Sequence, residues 1–179
     1  MIANKKNFRE ASLHKLRQIN PLQAYAKDKK IMAELHRIIK EENARSIMLY
    51  LPLSSEVNLS SLITKLRKEK RILYVPFMEG KSFRLVKYRL PLNKKKFGIK
   101  EPNNSKQYRK RNIALAIVPI VGVDITLRRI GFGKGMYDRF FEKEKQHIGK
   151  VLFVARTLCY SDSLMTHHHD VWGDMLITS

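Results

Sequence analysis

The chain has one cysteine, Cys159, among 179 residues. A single thiol cannot close an internal disulfide, and this cysteine usage fits a reducing compartment. Cys159 lies just past an apolar run with no companion motif, which reads as packing rather than as a catalytic thiol. No apolar stretch approaches the roughly 18 residues that suggest a membrane span. The first residues, MIANKKNFRE, are polar and basic where a secretory signal would carry an apolar segment. The expectation is a soluble, cytoplasmic protein with no membrane partner. Acidic residues are also few: 16 against 36 lysines and arginines, a net charge of +20. Such a balance raises nucleic acid as a partner. Yet the bases are spread over KKNFR, KDKK, RKEKR, NKKK, RKR and RR. No RNA-recognition motif, zinc pattern or helix-turn-helix accompanies them. The charge reads first as a solvated basic surface, with RNA contact and attraction of small polyanions as the alternatives, and nucleic acid is disfavoured as a partner.

With 44% hydrophobic residues, the chain can bury one good core, so a single domain over residues 1–179 is expected. Residues 4–18 and 21–42 show helical periodicity, with apolar stripes at Leu13, Leu16, Ile31, Leu35, Ile38 and Ile39 and with Pro21 placed to start the second helix. Residues 46–53 (SIMLYLPL) and 72–76 (ILYVP) predict strands, 59–70 a helix, and 83–90 a third, more exposed strand. The polar, Asn-rich stretch 91–111 predicts one long loop. An apolar run at 115–121 (LAIVPIV), a helix reaching about residue 146 and a strand at 150–155 (KVLFVA) complete the pattern. Strands alternating with helices argue for an α/β fold, a mostly parallel sheet with helices on both faces.

The richest segment is DITLRRIGFGKGMYDRFF, residues 124–141. It runs from the apolar strand through glycines at 131, 133 and 135 into a helix start. Alternating glycines let backbone N–H groups approach a ligand, Lys134 adds a mobile charge, and the helix N-terminus adds a partial one; this is a layout for phosphate. It is not a P-loop, because Arg128 stands where the first glycine would be and Gly135 where a Ser or Thr should be. Nor is it the dinucleotide fingerprint, which would need glycine at Met136.

The string VPIVGVD…RRIGFGKGMYDRFF resembles the nucleotide-binding signature of the 5-formyltetrahydrofolate cyclo-ligase family, also called 5,10-methenyltetrahydrofolate synthetase. Other segments extend the resemblance in order along almost the whole chain. KKNFR resembles the family's amino-terminal basic motif, which implies that Lys5, Lys6 and Arg9 reach the phosphates of ATP. LYLPLSSEVNL resembles a folate-contacting segment, making Leu51 and Glu56 substrate-site candidates with Glu56 near the formyl group. FGIKEP is similar to a Gly-Ile-Pro-Glu-Pro segment and suggests Phe97 as a pterin contact, although Lys100 replaces a proline. THHHDVWGDMLITS resembles the closing His-Asp stretch, in which Asp170 would join Asp138 in holding Mg²⁺. Adjacent histidines seldom converge on one ion, so the triplet is not read as a zinc site.

The resemblance implies a Rossmann-like fold of the sugar-phosphate isomerase and CoA-transferase kind. It also implies ATP-dependent cyclisation of (poly)glutamylated 5-formyltetrahydrofolate to 5,10-methenyltetrahydrofolate. Arg129, Gly131, Phe132, Gly133, Lys134, Gly135, Met136 and Tyr137 would form the ATP site with the amino-terminal motif. Lys134, Glu56 and Tyr137 would be catalytic, Tyr137 lying between the two ligands. Met136 departs from the family pattern, which usually carries the first of two tyrosines there. Two other classes compete. A basic RNA-binding protein would bind RNA in a salt-dependent way without ATP turnover. A sugar-phosphate isomerase would need phosphate loops and an acid-base dyad, which the residues do not supply.

Overall fold

The computed structural model describes residues 4–94, 100–102 and 112–179. Among the described residues four α-helices are present: α1 (Lys5–Arg17), α2 (Pro21–Glu41), α3 (Ser60–Lys68) and α4 (Met136–Glu144). Asn4 caps α1 by accepting from the Lys6 N–H, and Asn20 caps α2 by accepting from Gln23, with Pro21 opening the helix. The main sheet contains β1 (Ser46–Met48), β2 (Ile72–Glu79), β3 (Ser82–Lys87), β6 (Ile113–Pro119), β9 (Ile148–Val154) and β10 (Met175–Ile177). Its order is β10-β9-β6-β1-β2-β3. All pairings are parallel except β2 with β3, which form an antiparallel hairpin.

Alternation along the strands divides the core. Ile47, Leu73, Val75, Leu115, Ile117, Leu152 and Val154 face α2 and α3, where Ile31, Leu35, Ile39, Leu62 and Leu66 meet them. Met48, Tyr74, Ala116, Val118, Val151 and Phe153 lie in the opposite layer with Phe140 and Phe141 of α4. Strands covered on both faces must be apolar at successive positions, which accounts for the uninterrupted runs in the sequence.

Two expectations are corrected. The stretch 91–111 is not one loop: β4 (Leu92–Lys94) and β5 (Lys100–Pro102) pair antiparallel, with Lys94 opposite Lys100. Buried Glu101 anchors β5 by accepting the Met78 N–H of β2 at 3.1 Å. These strands carry few apolar residues, so periodicity gave no sign of them. The strand expected over 46–53 ends as regular structure at Met48. One further bond, from the Leu49 N–H to Tyr74 O, extends the pairing before the chain leaves the sheet.

Chain order reverses direction across the sheet between β1, followed on one side by β2, and β6 on the other. Ligands of open α/β sheets bind beyond the strand carboxyl ends at such a switch point. Both the loop after β1, which carries Glu56, and the segment after β6 leave from this edge. The latter forms a second small ladder, β7 (Gly122–Val123) with β8 (Arg129–Ile130), immediately before the glycines. A Cβ at Gly122 would lie 2.4 Å from the Cys159 carbonyl oxygen and 2.9 Å from the Phe8 ring. Gly122→Ala is therefore expected to cost about 1–3 kcal/mol by overpacking, read as a fall in thermal midpoint. An unchanged midpoint would mean that α1 does not press on this hairpin.

Candidate active site

The glycine loop takes its shape from backbone conformations that side chains resist. Gly133 has φ of 93° and Gly135 has φ of 61°, the latter serving as the cap from which α4 starts. Arg139, one turn into α4, donates to the Lys134 carbonyl and, through Nε, to the Lys81 carbonyl at 2.8 Å. The loop backbone is thus tied to the β2–β3 hairpin, while the Lys134 side chain points outward from an exposed position. Phe132 is half-buried, and Met136 and Tyr137 pack against the α4 side of the core.

Helix α1 closes one side. The Lys5 ammonium donates to both Asp170 carboxylate oxygens at 2.7 Å, and the His167 N–H donates to Asp170 Oδ2 at 2.7 Å. One turn on, Arg9 Nε donates to the Gly131 carbonyl at 2.7 Å, and its guanidinium lies against Gly133. Lys6, between them in sequence, is exposed. The amino-terminal motif therefore meets both the glycine loop and the Asp170 segment, although 165 positions separate Lys5 from Asp170.

Arg129 forms the floor. It is buried, its Nε donates to the Pro119 carbonyl at 3.0 Å, and its guanidinium lies over the Tyr137 ring at 4.7 Å. Its Nη1 is 3.9 Å from Asp138 Oδ1, which is buried and has no hydrogen-bond partner among the described residues. Burial pushes the guanidinium below its ordinary pKa, opposed first by the Asp138 carboxylate and then by Tyr137, Glu56 and Asp170. Four of the predicted site residues therefore share the field of one cation. Burial likewise pushes the Tyr137 phenol up.

Glu56 lies in the loop after β1 and accepts the Leu53 N–H at 2.8 Å. Burial pushes its carboxyl up to about 7, against the Leu53 bond and the attraction of Arg129 and Arg156. A carboxyl whose folded pKa lies above its unfolded value holds its proton more tightly in the folded state. Stability therefore falls as pH rises from about 4.5 to about 7. Glu56→Gln should stabilise the fold above pH 7 by on the order of 1–3 kcal/mol, read as a higher thermal midpoint, with no gain below pH 4.5. Melting curves across pH that stay parallel for the two proteins would refute this placement.

Leu51 packs against the α2–α3 side of the core. Phe97 lies outside the described residues. Sequence reasoning missed three contributors. Asp124, fully buried, accepts from Thr126 and from both Met165 and Thr166. Burial would raise its pKa, but these bonds together hold it well below the usual carboxylate range. It thereby fastens the hairpin that precedes the glycines to the segment leading into Asp170. An Asp two residues before a Thr is a local turn signal that could have pointed to it. Asp28 and Arg156, paired at 2.8 Å, adjoin the Glu56 loop but are 128 positions apart, and no local signal joins them.

A family model described as the 5-formyltetrahydrofolate cyclo-ligase family matches residues 1–179. The chain belongs to that family. A 5-formyltetrahydrofolate cyclo-ligase from Haemophilus influenzae is 24% identical over 179 aligned positions, which cover 96% of each protein. The solved structure of Aquifex aeolicus 5,10-methenyltetrahydrofolate synthetase is similar with a TM-score of 0.82 at 28% identity, covering 97% of this chain and 89% of that one. A 5,10-methenyltetrahydrofolate synthetase from Mycoplasma pneumoniae shares the fold, with a TM-score of 0.77 at 21% identity over 98% of both chains. As a member of the cyclo-ligase family the protein is an enzyme, a ligase of folate one-carbon metabolism. Among the described residues no helix is long and apolar enough to cross a membrane.

Proposed function

We propose that this cyclo-ligase family member couples ATP cleavage to closure of 5-formyltetrahydrofolate into 5,10-methenyltetrahydrofolate, releasing ADP and phosphate. The observation that carries the reading is the convergence on Arg129. From α4 the Tyr137 ring lies against it at 4.7 Å and Asp138 Oδ1 at 3.9 Å, and Glu56 from the β1 loop and Asp170 add favourable electrostatics from other segments. Gly131 of the glycine loop lies against the same guanidinium, and Arg9 of α1 bonds the Gly131 carbonyl.

A formyl oxygen is a poor leaving group, so the reaction must first convert it into a phosphate ester. In this reading the γ-phosphoryl group moves from ATP to that oxygen, breaking the bond to ADP. N10 of the folate then attacks the activated carbon intramolecularly, giving its proton to solvent, and the C–O bond breaks as phosphate leaves with the bonding electron pair. Such a sequence needs positioning and charge neutralisation more than a protein nucleophile. Lys134, Arg129, Lys5 and Arg9 supply positive charge to the phosphates, with Lys6 at the rim. The N–H groups around Gly131, Phe132, Gly133, Gly135 and Met136 supply fixed donors. Tyr137 separates the two ligands. Leu51 and Glu56 border the folate, with Phe97 as a further pterin contact. Glu56, with a pKa near 7, is present in both protonation states near neutrality and orients the formyl end.

Among the described residues no three His, Cys, Asp or Glu side chains gather into a metal cage. Mg²⁺ bound with ATP needs only one or two carboxylates, the rest of its shell being phosphate and water. The orphaned, buried Oδ1 of Asp138 fits that requirement. Asp138 and Asp170 would hold the ion, whose chemistry is to neutralise phosphate oxygens. The high positive charge draws both polyanions, including a polyglutamate tail, toward the site. We further propose that residues 1–179 act as one domain, in the cytoplasm, without a nucleic-acid partner.

Mixing the protein with 5-formyltetrahydrofolate and Mg-ATP should give the near-ultraviolet absorbance of methenyl-tetrahydrofolate, and omitting ATP should abolish it. Folded protein that binds ATP yet yields no methenyl product would overturn the reading.

A further inference from the structure

The connection between β1 and α3 carries Glu56 but contains no helix or strand to hold it. Its backbone is instead gripped from outside. Arg156, just past the carboxyl end of β9, is buried and bonds the Asp28 carboxylate of α2 twice, through Nε at 2.8 Å and Nη2 at 2.9 Å. Neither residue spends its remaining hydrogen-bonding capacity on solvent alone. Arg156 Nη1 donates to the Ser54 carbonyl at 2.8 Å, and Asp28 Oδ2 accepts the Asn58 N–H at 3.1 Å. These two anchor points lie two positions before and two positions after Glu56. Between them, the buried Tyr50 hydroxyl donates to the Val57 carbonyl at 3.0 Å.

We propose that Asp28 and Arg156 are positioning residues, a clamp that fixes the height and direction of Glu56 beside the folate by holding the loop backbone on both sides of it. The proposal rests on the cyclo-ligase reading for the identity of the ligand; the clamp itself rests on the geometry. A buried ion pair is weak evidence of stabilisation, since well-packed apolar residues often replace such a pair without loss. What apolar residues cannot replace is a donor for Ser54 and an acceptor for Asn58. Those two bonds involve main-chain groups of the loop, so they set its path whatever its side chains are. A displacement of about 1 Å at a positioning group can cost on the order of a hundredfold in rate, which gives the clamp a large lever on a residue it does not touch.

The test is the double variant D28L/R156M, which removes both charges together and leaves neither buried alone. Its thermal midpoint is expected to stay near that of the wild type. Amide hydrogen exchange at Asn58 and Glu56 should accelerate by at least about tenfold, while exchange in β1 and β6 stays unchanged. KM for 5-formyltetrahydrofolate should rise at least about tenfold, with KM for ATP unaffected, a split that a general loosening of the fold would not give. A folded double variant with wild-type loop protection and wild-type folate KM overturns the clamp, as does an equal loss for both substrates. Should the double variant not fold, R156K decides. It keeps the charge opposite Asp28 but replaces the guanidinium fork, whose three nitrogens reach Asp28 twice and Ser54 once, with a single nitrogen on a shorter reach, so unchanged loop exchange there rejects the proposal. A wild-type protein without methenyl-forming activity would sink the functional reading, and the exchange measurement would still decide the clamp.

Discussion

Lys134→Ala should lower turnover of 5-formyltetrahydrofolate by about 10²- to 10³-fold, the loss seen when a preorganised charge donor is taken from a transition state. The same substitution should leave the thermal midpoint within roughly 2 °C of wild type. The two halves of this expectation have separate causes. Loop shape is kept by the positive φ of Gly133 and Gly135 and by Arg139, which holds the Lys134 carbonyl rather than its side chain. The ammonium itself is exposed, so folding gains little from it. Steady-state kinetics with Mg-ATP and a melting curve settle both halves. Normal turnover would remove Lys134 from the site, whereas a large fall in midpoint would show that the side chain supports the loop.

Arg129→Met should do what Lys134→Ala does not, reducing activity and stability together. Removing one member of a buried charge group strands the others, at a cost of about 3–5 kcal/mol. For a chain of this size that corresponds to a fall of roughly 6–20 °C in thermal midpoint. Asp138 would lose its nearest positive charge, the Pro119 carbonyl its donor and the Tyr137 ring its cation. Turnover should fall at least about 10³-fold, as when an arginine that meets transferring phosphate is removed. A variant that melts like the wild type would contradict the floor role, and one that melts low but turns over normally would assign Arg129 to the fold alone.

The contrast between these two residues shows where sequence reasoning succeeds and where it stops. Lys134 sits among glycines, and glycines spaced two apart between an apolar run and a helix start have few physical uses, so its setting was readable. Arg129 was expected among the phosphate-binding groups. Nothing local announced its burial, because a guanidinium under an aromatic ring needs partners from β6 and α4. The strands of the main sheet were legible for the same reason as the loop. Residues 115–119 and 151–154 are buried without a break and are apolar at every position. β4, β5, β7 and β8 span three residues or fewer and exist through pairing, which no periodicity records. Asp28 and Arg156 lie outside every motif, and only the folded chain brings them to the two sides of Glu56.

The bond between Lys5 and Asp170 has a consequence for how the molecule comes into being. It joins the first helix to a residue made 165 positions later, so closing it carries a large loop-entropy cost that earlier contacts must first reduce. During synthesis α1 leaves the ribosome long before its counterpart exists. The β1–β6 centre can assemble while one wall of the site is still missing, and the segment around Asp170 completes that wall once it is made. A chain stalled before Asp170 would hold most of its core and none of this closure, so the site reports whether translation has passed that residue.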